Sequence, residues 1–427
     1  MISTIKKIIP TNLKRWIKEV QRTITISKVK KTHKNLLEQV KQKEKIKLAF
    51  LLVNESIWKY EHLYFLFKNN PRYEAVVFVC PFLTYGEEIM KQEVTQITKN
   101  FKQKGYQVVN TQKKNGDWYD IKKEYRPDVV LFSTPWNHTL EQYLIENFLD
   151  TLTVYVPYGF KNSNLYEYHF NKNMMNYTWK FFVETNIHKN LSKKYALNKG
   201  VNTVVTGFPG MDIFLDKNFK PDFKVWKNQD KQKKKIIWAP HHTIPGCQNA
   251  LSYSTFLDYA ELMLDLAEDF KDDVQIAFKP HPNLRGKLND VWGLEKTNSY
   301  FQKWKYLSNG QVEQGAYIDL FATSDAMIHD SGSFVIEYLY VKKPVMFLIS
   351  SEKVKEEFNE IGVEALKNIE LGYNKKDLRN FIENAVLKEK DEFKEQREDF
   401  FEELVKPPND KMASENIYEY LIQTFEK

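Results

Sequence analysis

The chain has 427 residues, of which 42% are hydrophobic and 28% charged, a composition that excludes disordered and fibrous classes. No run of about 18 apolar residues occurs, so no membrane-spanning helix is expected, and single cores stop growing at roughly 250–300 residues, so two domains are. The formal net charge of +7 is uneven: residues 1–45 hold 13 Lys and Arg against 3 Asp and Glu, which leaves the remaining chain at −3.

Residues 1–45 read as a basic, amphipathic, helical segment. Ile2, Ile5, Ile8, Ile9, Leu13, Trp16, Ile17 and Val20 alternate with Lys6, Lys7, Lys14, Arg15, Lys18 and Arg22, around a break at Pro10. Such a segment lies on an anionic leaflet with its apolar face inward. The charge does not continue into the body and no nucleic-acid reader motif follows, so no nucleic-acid partner is expected. The N-terminus lacks the apolar core and cleavage site of a signal peptide. The two cysteines, Cys80 and Cys247, form no CxxC pair, which fits a reducing compartment. Together these predict a cytoplasmic protein, peripheral on the inner face of the cell membrane.

From residue 46 short apolar runs alternate with helical stretches. Strands are predicted at 46–53, 73–79, 106–109, 127–132 and 153–156, with helices at 58–67 and 86–104 between them. After a lysine-rich stretch at 216–235 the alternation resumes, with strands at 235–239, 274–278, 326–328 and 344–349 and helices at 254–270, 317–323 and 333–340. Apolar strands alternating with helices mean βαβ units and a parallel sheet. The predicted class is α/β, with two Rossmann-like domains at 46–205 and 206–375 facing across a cleft, and charged helices at 376–427. Ligands of such sheets bind at the carboxyl ends of the strands.

Three motifs sit there in the second half. Pro240-His241-His242-Thr243 follows one strand and Lys279-Pro280-His281-Pro282 the next. His329-Asp330-Ser331-Gly332-Ser333 comes between a third strand and a helix that carries Glu337. A helix start with Ser331, Gly332 and Ser333 suits phosphate oxygens, and Glu337, about one turn on, suits ribose hydroxyls. A serine there is also an ordinary helix cap. His281, held between prolines, would contact a diphosphate if protonated or move a proton if neutral. At most one of His241 and His242 is expected to face the cleft. The histidine spacings fit no zinc pattern, and neither a P-loop nor a GxGxxG fingerprint is present, so no metal and no cofactor is expected.

These motifs resemble those of the CDP-glycerol glycerophosphotransferase family, the teichoic acid primases and polymerases and their capsule-locus relatives, a GT-B-like family. Gly207-Phe208-Pro209-Gly210-Met211-Asp212 is similar to its G-Y-P-R-x-D segment, and Ala239-Pro240 to A-P-T-W-R. Lys279-Pro280-His281-Pro282 is similar to its basic-x-His stretch. His329 to Glu337, followed by Lys343-Pro344, resembles T-D-Y-S-S-V-x-F-D with its K/R-P. The likeness covers roughly 200–350 by motif and the first half by pattern alone. It implies transfer of a polyol phosphate from a CDP donor to a hydroxyl of a lipid-linked or oligosaccharide acceptor, with CMP released.

In that reading Lys279, His281, Asp330, Ser331, Gly332, Ser333, Glu337, Pro240 and His241 bind the donor. His281, His329, His242 and Tyr158 are the catalytic candidates. Tyr158, Gly159, Lys161 and His138 lie on the acceptor side, near an aromatic cluster of Tyr155, Tyr158, Phe160, Tyr166 and Tyr168. Three positions depart from the family: Thr243 and Gly210 stand where it has arginine, and Tyr158 where it has the histidine favoured as general base. Tyrosine has an unperturbed pKa near 10, a poor base at neutral pH. A glycosyltransferase using a nucleotide sugar and a non-catalytic scaffold of a polymer-synthesis complex are the alternatives.

Overall fold

The computed structural model describes residues 11–245, 247 and 251–426. They form two units. One takes in the described residues up to Gly159, Tyr166–Asp212 and those from Pro407 onward; the other takes in Phe160–Leu165 and Ile213–Lys406. Both are α/β units built on a single parallel sheet.

In the first unit the apolar runs become β1 (Ile46–Leu52), β2 (Tyr73–Val79), β3 (Val108–Asn110), β4 (Val129–Phe132), β5 (Leu152–Tyr155), β6 (Lys180–Val183) and β7 (Thr203–Val205). Their order across the sheet is β3-β2-β1-β4-β5-β6-β7, all parallel. The order reverses between β1 and β4, the place where open sheets of this kind leave a crevice. Phe50, Leu52, Val77 and Leu131 fill one face of the sheet, and Leu51, Phe78, Val130 and Phe181 the other.

The second unit contains β8 (Lys234–Ala239), β9 (Val274–Phe278), β10 (Gly310–Val312), β11 (Ala326–His329), β12 (Val345–Leu348) and β13 (Glu370–Gly372). The order is β10-β9-β8-β11-β12-β13, again all parallel, and it reverses between β8 and β11. Trp238 anchors this core, stacked on Phe256 and Phe278 with ring centroids 5.6 and 4.9 Å apart.

Four strands, β6, β7, β10 and β13, were not foreseen; all have three or four residues, too few to show a period. The predicted helical tail, 376–427, is split between the units. Residues up to Lys406 stay with the second unit, whereas the helix Ala413–Glu426 packs Ile417, Leu421 and Phe425 into the core of the first. Asp212 holds that helix start: its two carboxylate oxygens accept from the backbone N–H groups of Ala413 and Ser414, each at 2.8 Å. Gly207 lies against Pro407, where a Cβ would come within 2.6 Å of the proline ring. The segment that resembles the family's domain junction is thus a clamp within the first unit.

The N-terminal segment is one long helix, Thr11–Lys41. Its second half buries Val29, His33 and Val40, while Leu13, Trp16, Val20 and Ile24 of the first half are exposed. The part of the predicted basic segment before Thr11 lies outside the described residues. No helix among the described residues is long and apolar enough to cross a membrane.

Candidate active site

The second unit brings two of the three motifs together at the carboxyl ends of β8 and β9. The ring of His242 lies 4.1 Å from that of His281 and 4.3 Å from that of His241, and His241 and His281 are 5.1 Å apart. The loops are tied by their backbones, since the His281 N–H donates to Pro240 O at 3.0 Å. Burial holds all three imidazoles neutral: the pKa of His242 falls to about 4, that of His281 to about 3, and that of His241 well below the usual value. Three like groups this close cannot all charge, so a resting imidazolium at His281 is replaced by a neutral ring.

The tautomers follow from the partners. His281 Nδ1 accepts from the Asn283 N–H at 3.1 Å, so the neutral ring carries its proton on Nε2. Thr243 Oγ1 accepts from the N–H groups of Tyr253 and Ser254 at 3.0 and 3.3 Å. With both lone pairs used, the hydroxyl proton goes to His241 Nδ1, 3.0 Å away, which also leaves that proton on Nε2. Thr243, at the family's arginine position, therefore orients an imidazole. The nitrogens of the three rings lie within 4.8 Å of one another, a spacing a divalent ion could bridge. However, a ring whose Nε2 bears hydrogen and whose Nδ1 is engaged donates to an oxyanion and has no lone pair for a metal.

The third motif takes a different part from the one expected. Asp330 is 1% exposed and accepts from the N–H of His241 at 2.5 Å, the N–H of Thr255 at 2.5 Å and the Thr255 hydroxyl at 2.9 Å. Burial raises its pKa to about 6. It is a latch for the histidine loop and does not reach a donor. His329 is wholly buried at the end of β11, edge-on to Phe347 at 5.3 Å, with its pKa lowered to about 3 by burial. Its Nδ1 lies 3.1 Å from the Ser331 carbonyl oxygen and 3.2 Å from the Ser331 N, so the ring is held by the Ser331 backbone in either tautomer. A side chain so enclosed sets the Ser331 backbone and cannot act as the expected catalyst.

Gly332 and Ser333 have N–H groups with no partner among the described residues, while Gly332 O accepts from the Asn162 amide at 2.5 Å. The helix after them, Phe334–Glu337, is a single turn, so little macrodipole is available and only the local N–H groups can serve an anion. A Cβ at Gly332 would meet Tyr253 Cε2 at 2.9 Å; the glycine is there for that ring. Ser331 is buried and Ser333 half-buried. Glu337 is 2% exposed and accepts from the Tyr317 hydroxyl at 2.8 Å, so it is not presented to a ribose. Lys279 is buried, donates to Gly315 O at 2.9 Å, and has its pKa lowered to about 8 by desolvation.

On the first unit, Tyr158 accepts from the Trp136 indole N–H at 3.1 Å. Burial raises its pKa, which removes it as a base at neutral pH. Gly159 has open space beside it. Lys161 is buried in the short segment assigned to the second unit, apart from its neighbours in sequence. His138 is exposed, edge-on to Phe82 at 5.6 Å. The aromatic cluster disperses: Tyr155 stacks on Phe181 in the core, Tyr166 stacks on Tyr195 at 4.2 Å, Phe160 is buried, and Tyr168 is exposed. Tyr253, Thr255, Asn162 and Tyr317, which hold the motifs in place, carried no local signal, because each acts through a tertiary contact.

Two parallel-sheet units with polar loops at the ends of β8 and β9 define a Rossmann-like, GT-B-like fold. The fold is similar to that of a variant of the wall teichoic acid polymerase TagF, at a TM-score of 0.60 and 13% identity over 96% of this chain and 98% of that one. It is also similar to a UDP-N-acetylglucosamine 2-epimerase, at 0.58 and 19% over 90% and 97%. The teichoic acid poly(ribitol-phosphate) polymerase of Bacillus spizizenii is 30% identical over 183 residues, 41% of this chain and 27% of that protein. The match therefore spans well under half of that relative. The model of the CDP-glycerol:poly(glycerophosphate) glycerophosphotransferase family matches residues 156–423. The chain belongs to this family.

Proposed function

We propose that the chain transfers a glycerol-phosphate or other polyol-phosphate unit from a CDP-activated donor to a hydroxyl of a cell-surface glycan or teichoic acid acceptor. The observation that carries the reading is the pair of fixed Nε2–H donors, on His241 and His281, at the strand ends of the second unit. They would bind the diphosphate together with the N–H groups of Gly332 and Ser333.

Phosphoryl transfer asks mainly for such positioned donors and for alignment of the attacking hydroxyl. The acceptor oxygen forms the new bond to the polyol-bearing phosphorus. The bond from that phosphorus to the bridging oxygen breaks, and CMP leaves with that oxygen and the bonding pair. The hydroxyl proton needs a base. A bound diphosphate raises the pKa of imidazoles beside it by opposite charge, which supports His242, whose buried Nδ1 has no partner among the described residues, over Tyr158. The exposed Leu13, Trp16, Val20 and Ile24 of the N-terminal helix support placement on the inner membrane surface, where a lipid-linked acceptor would be met.

The test is CMP release from CDP-glycerol in the presence of acceptor. His281→Ala is expected to lower turnover about 100-fold, the usual loss for one preorganised donor. Unchanged turnover removes the histidine group from the mechanism. A thermal-shift screen separates the alternatives: stabilisation by a UDP-sugar and none by CDP-glycerol replaces this reading with a glycosyltransferase.

A further inference from the structure

The first unit holds a cavity of about 540 Å³, within the range of about 300–1,000 Å³ typical of small-molecule sites. Its floor is formed by Leu51 and Val53 at the end of β1 and by Phe132 and Ser133 at the end of β4. That is the point where the strand order of this sheet reverses. The position is the one at which a doubly wound sheet binds its ligand, and of the residues singled out in the sequence Arg22 and Tyr168 reach it.

The lining shows what chemistry is waiting. The hydroxyls of Ser133 and Thr139, residues 1% and 7% exposed, are buried and have no hydrogen-bond partner among the described residues. Buried hydroxyls are normally paired, because leaving one unpaired costs about 1–3 kcal/mol. Arg22, reaching in from the N-terminal helix, donates to Asn171 O through Nη2, while its buried Nε has no partner among the described residues. Trp136 and Tyr168 form an aromatic wall with ring centroids 6.1 Å apart, and Lys172 Nζ lies 4.5 and 5.0 Å from the two rings. Glu146 and Glu167 complete the lining. Two cations and two carboxylates balance, so the cavity offers no net charge to hold a phosphate. It does offer aromatic surface, acceptors for hydroxyl groups and three polar atoms awaiting partners.

We propose that this cavity binds an uncharged glycosyl unit of the acceptor. The aromatic wall covers the apolar C–H surface of the sugar, and Ser133, Thr139, Arg22 and the carboxylates take its hydroxyls. The assignment of the sugar to an acceptor rests on the transferase reading above; the sugar site itself does not.

The full-length chain is titrated with N-acetylglucosamine, glucose and glucose 6-phosphate by saturation-transfer NMR and tryptophan fluorescence. CDP-glycerol binding is measured on the same samples. The neutral sugars are expected to bind and to saturate. Ser133→Ala with Thr139→Val is expected to weaken them about 10-fold or more, two net hydrogen bonds of roughly fivefold each. The same pair removes two unpaired buried hydroxyls, so Tm stays level or rises and a folding defect does not confuse the result. CDP-glycerol affinity is expected to stay within about twofold, since one net hydrogen bond is worth more than that. Absence of saturable sugar binding in a sample that binds CDP-glycerol overturns the sugar site and leaves the transferase standing. Preference for glucose 6-phosphate also overturns it. Sugar binding lost in the double variant, in a protein that ignores CDP-glycerol, supports the site and sinks the donor reading.

Discussion

Gly332 shows how a residue can be read correctly as special and wrongly as to cause. Its place between β11 and a helix suggested backbone approach to a ligand, yet the space its missing Cβ leaves is filled by Tyr253. Gly332→Ala is therefore expected to push Tyr253, cost about 1–3 kcal/mol as overpacking does, and weaken CDP-glycerol binding by shifting the adjoining N–H groups. In a chain that already carries Tyr253→Ala, the same glycine substitution should cost less, because the ring it would push is gone. If the single variant binds and melts as the parent does, the contact is not tight in solution. The histidines at 241, 242 and 281 were legible because they follow strands. That Asp330 latches one of their loops, and that Thr243 sets a tautomer, was not legible, because both depend on which loops meet across β8 and β11.

At the scale of elements, the long central strands were visible in the sequence as apolar runs, and β2 and β9 fall at the expected residues. The short strands escaped notice because pairing with a neighbour defines them. The helix Ala413–Glu426 read as part of a charged tail; its buried stripe of Ile417, Leu421 and Phe425 gives it a place in the first core. Phe425, fully buried and stacked on Trp179 with centroids 5.7 Å apart, is the element's deepest anchor. Phe425→Ala is expected to destabilise the first unit by about 3–5 kcal/mol, measured by urea unfolding followed through tryptophan emission. The opposite end of the chain presents Trp16 at 61% exposure on the face it shares with Leu13, Val20 and Ile24. Trp16→Glu with Ile24→Glu is expected to abolish flotation with phosphatidylglycerol vesicles while leaving Tm unchanged, because neither side chain is in the core; unchanged flotation would remove this face as the membrane contact.

For the molecule as a whole, burial sets a pH dependence. His33 and His242 fall to about 4, and His281 and His329 to about 3, all by desolvation. The unfolded chain takes up these protons near pH 6.5 and the folded chain only well below it. Stability is therefore complete above about pH 6.5 and is lost progressively as pH falls. Asp212 and Asp330, raised to about 6, and Glu370, raised to about 7, act in the other direction, since the folded state holds their protons more tightly. The histidines outnumber them, so Tm is expected to fall between pH 7 and pH 5. His329→Phe, which replaces a buried imidazole with an apolar ring, should reduce that slope; a flat or rising profile in the parent chain contradicts the balance.

The return of residues 413–426 to the first core has a consequence for biosynthesis. The second unit is in effect an insertion within the first, so translation in order does not give folding in order. The sheet of the first unit is complete in sequence by residue 205, but the surface that receives Phe425 stays uncovered while some two hundred further residues emerge from the ribosome. A nascent chain halted anywhere before residue 413 would expose that apolar seat to chaperones, whatever the state of the second unit.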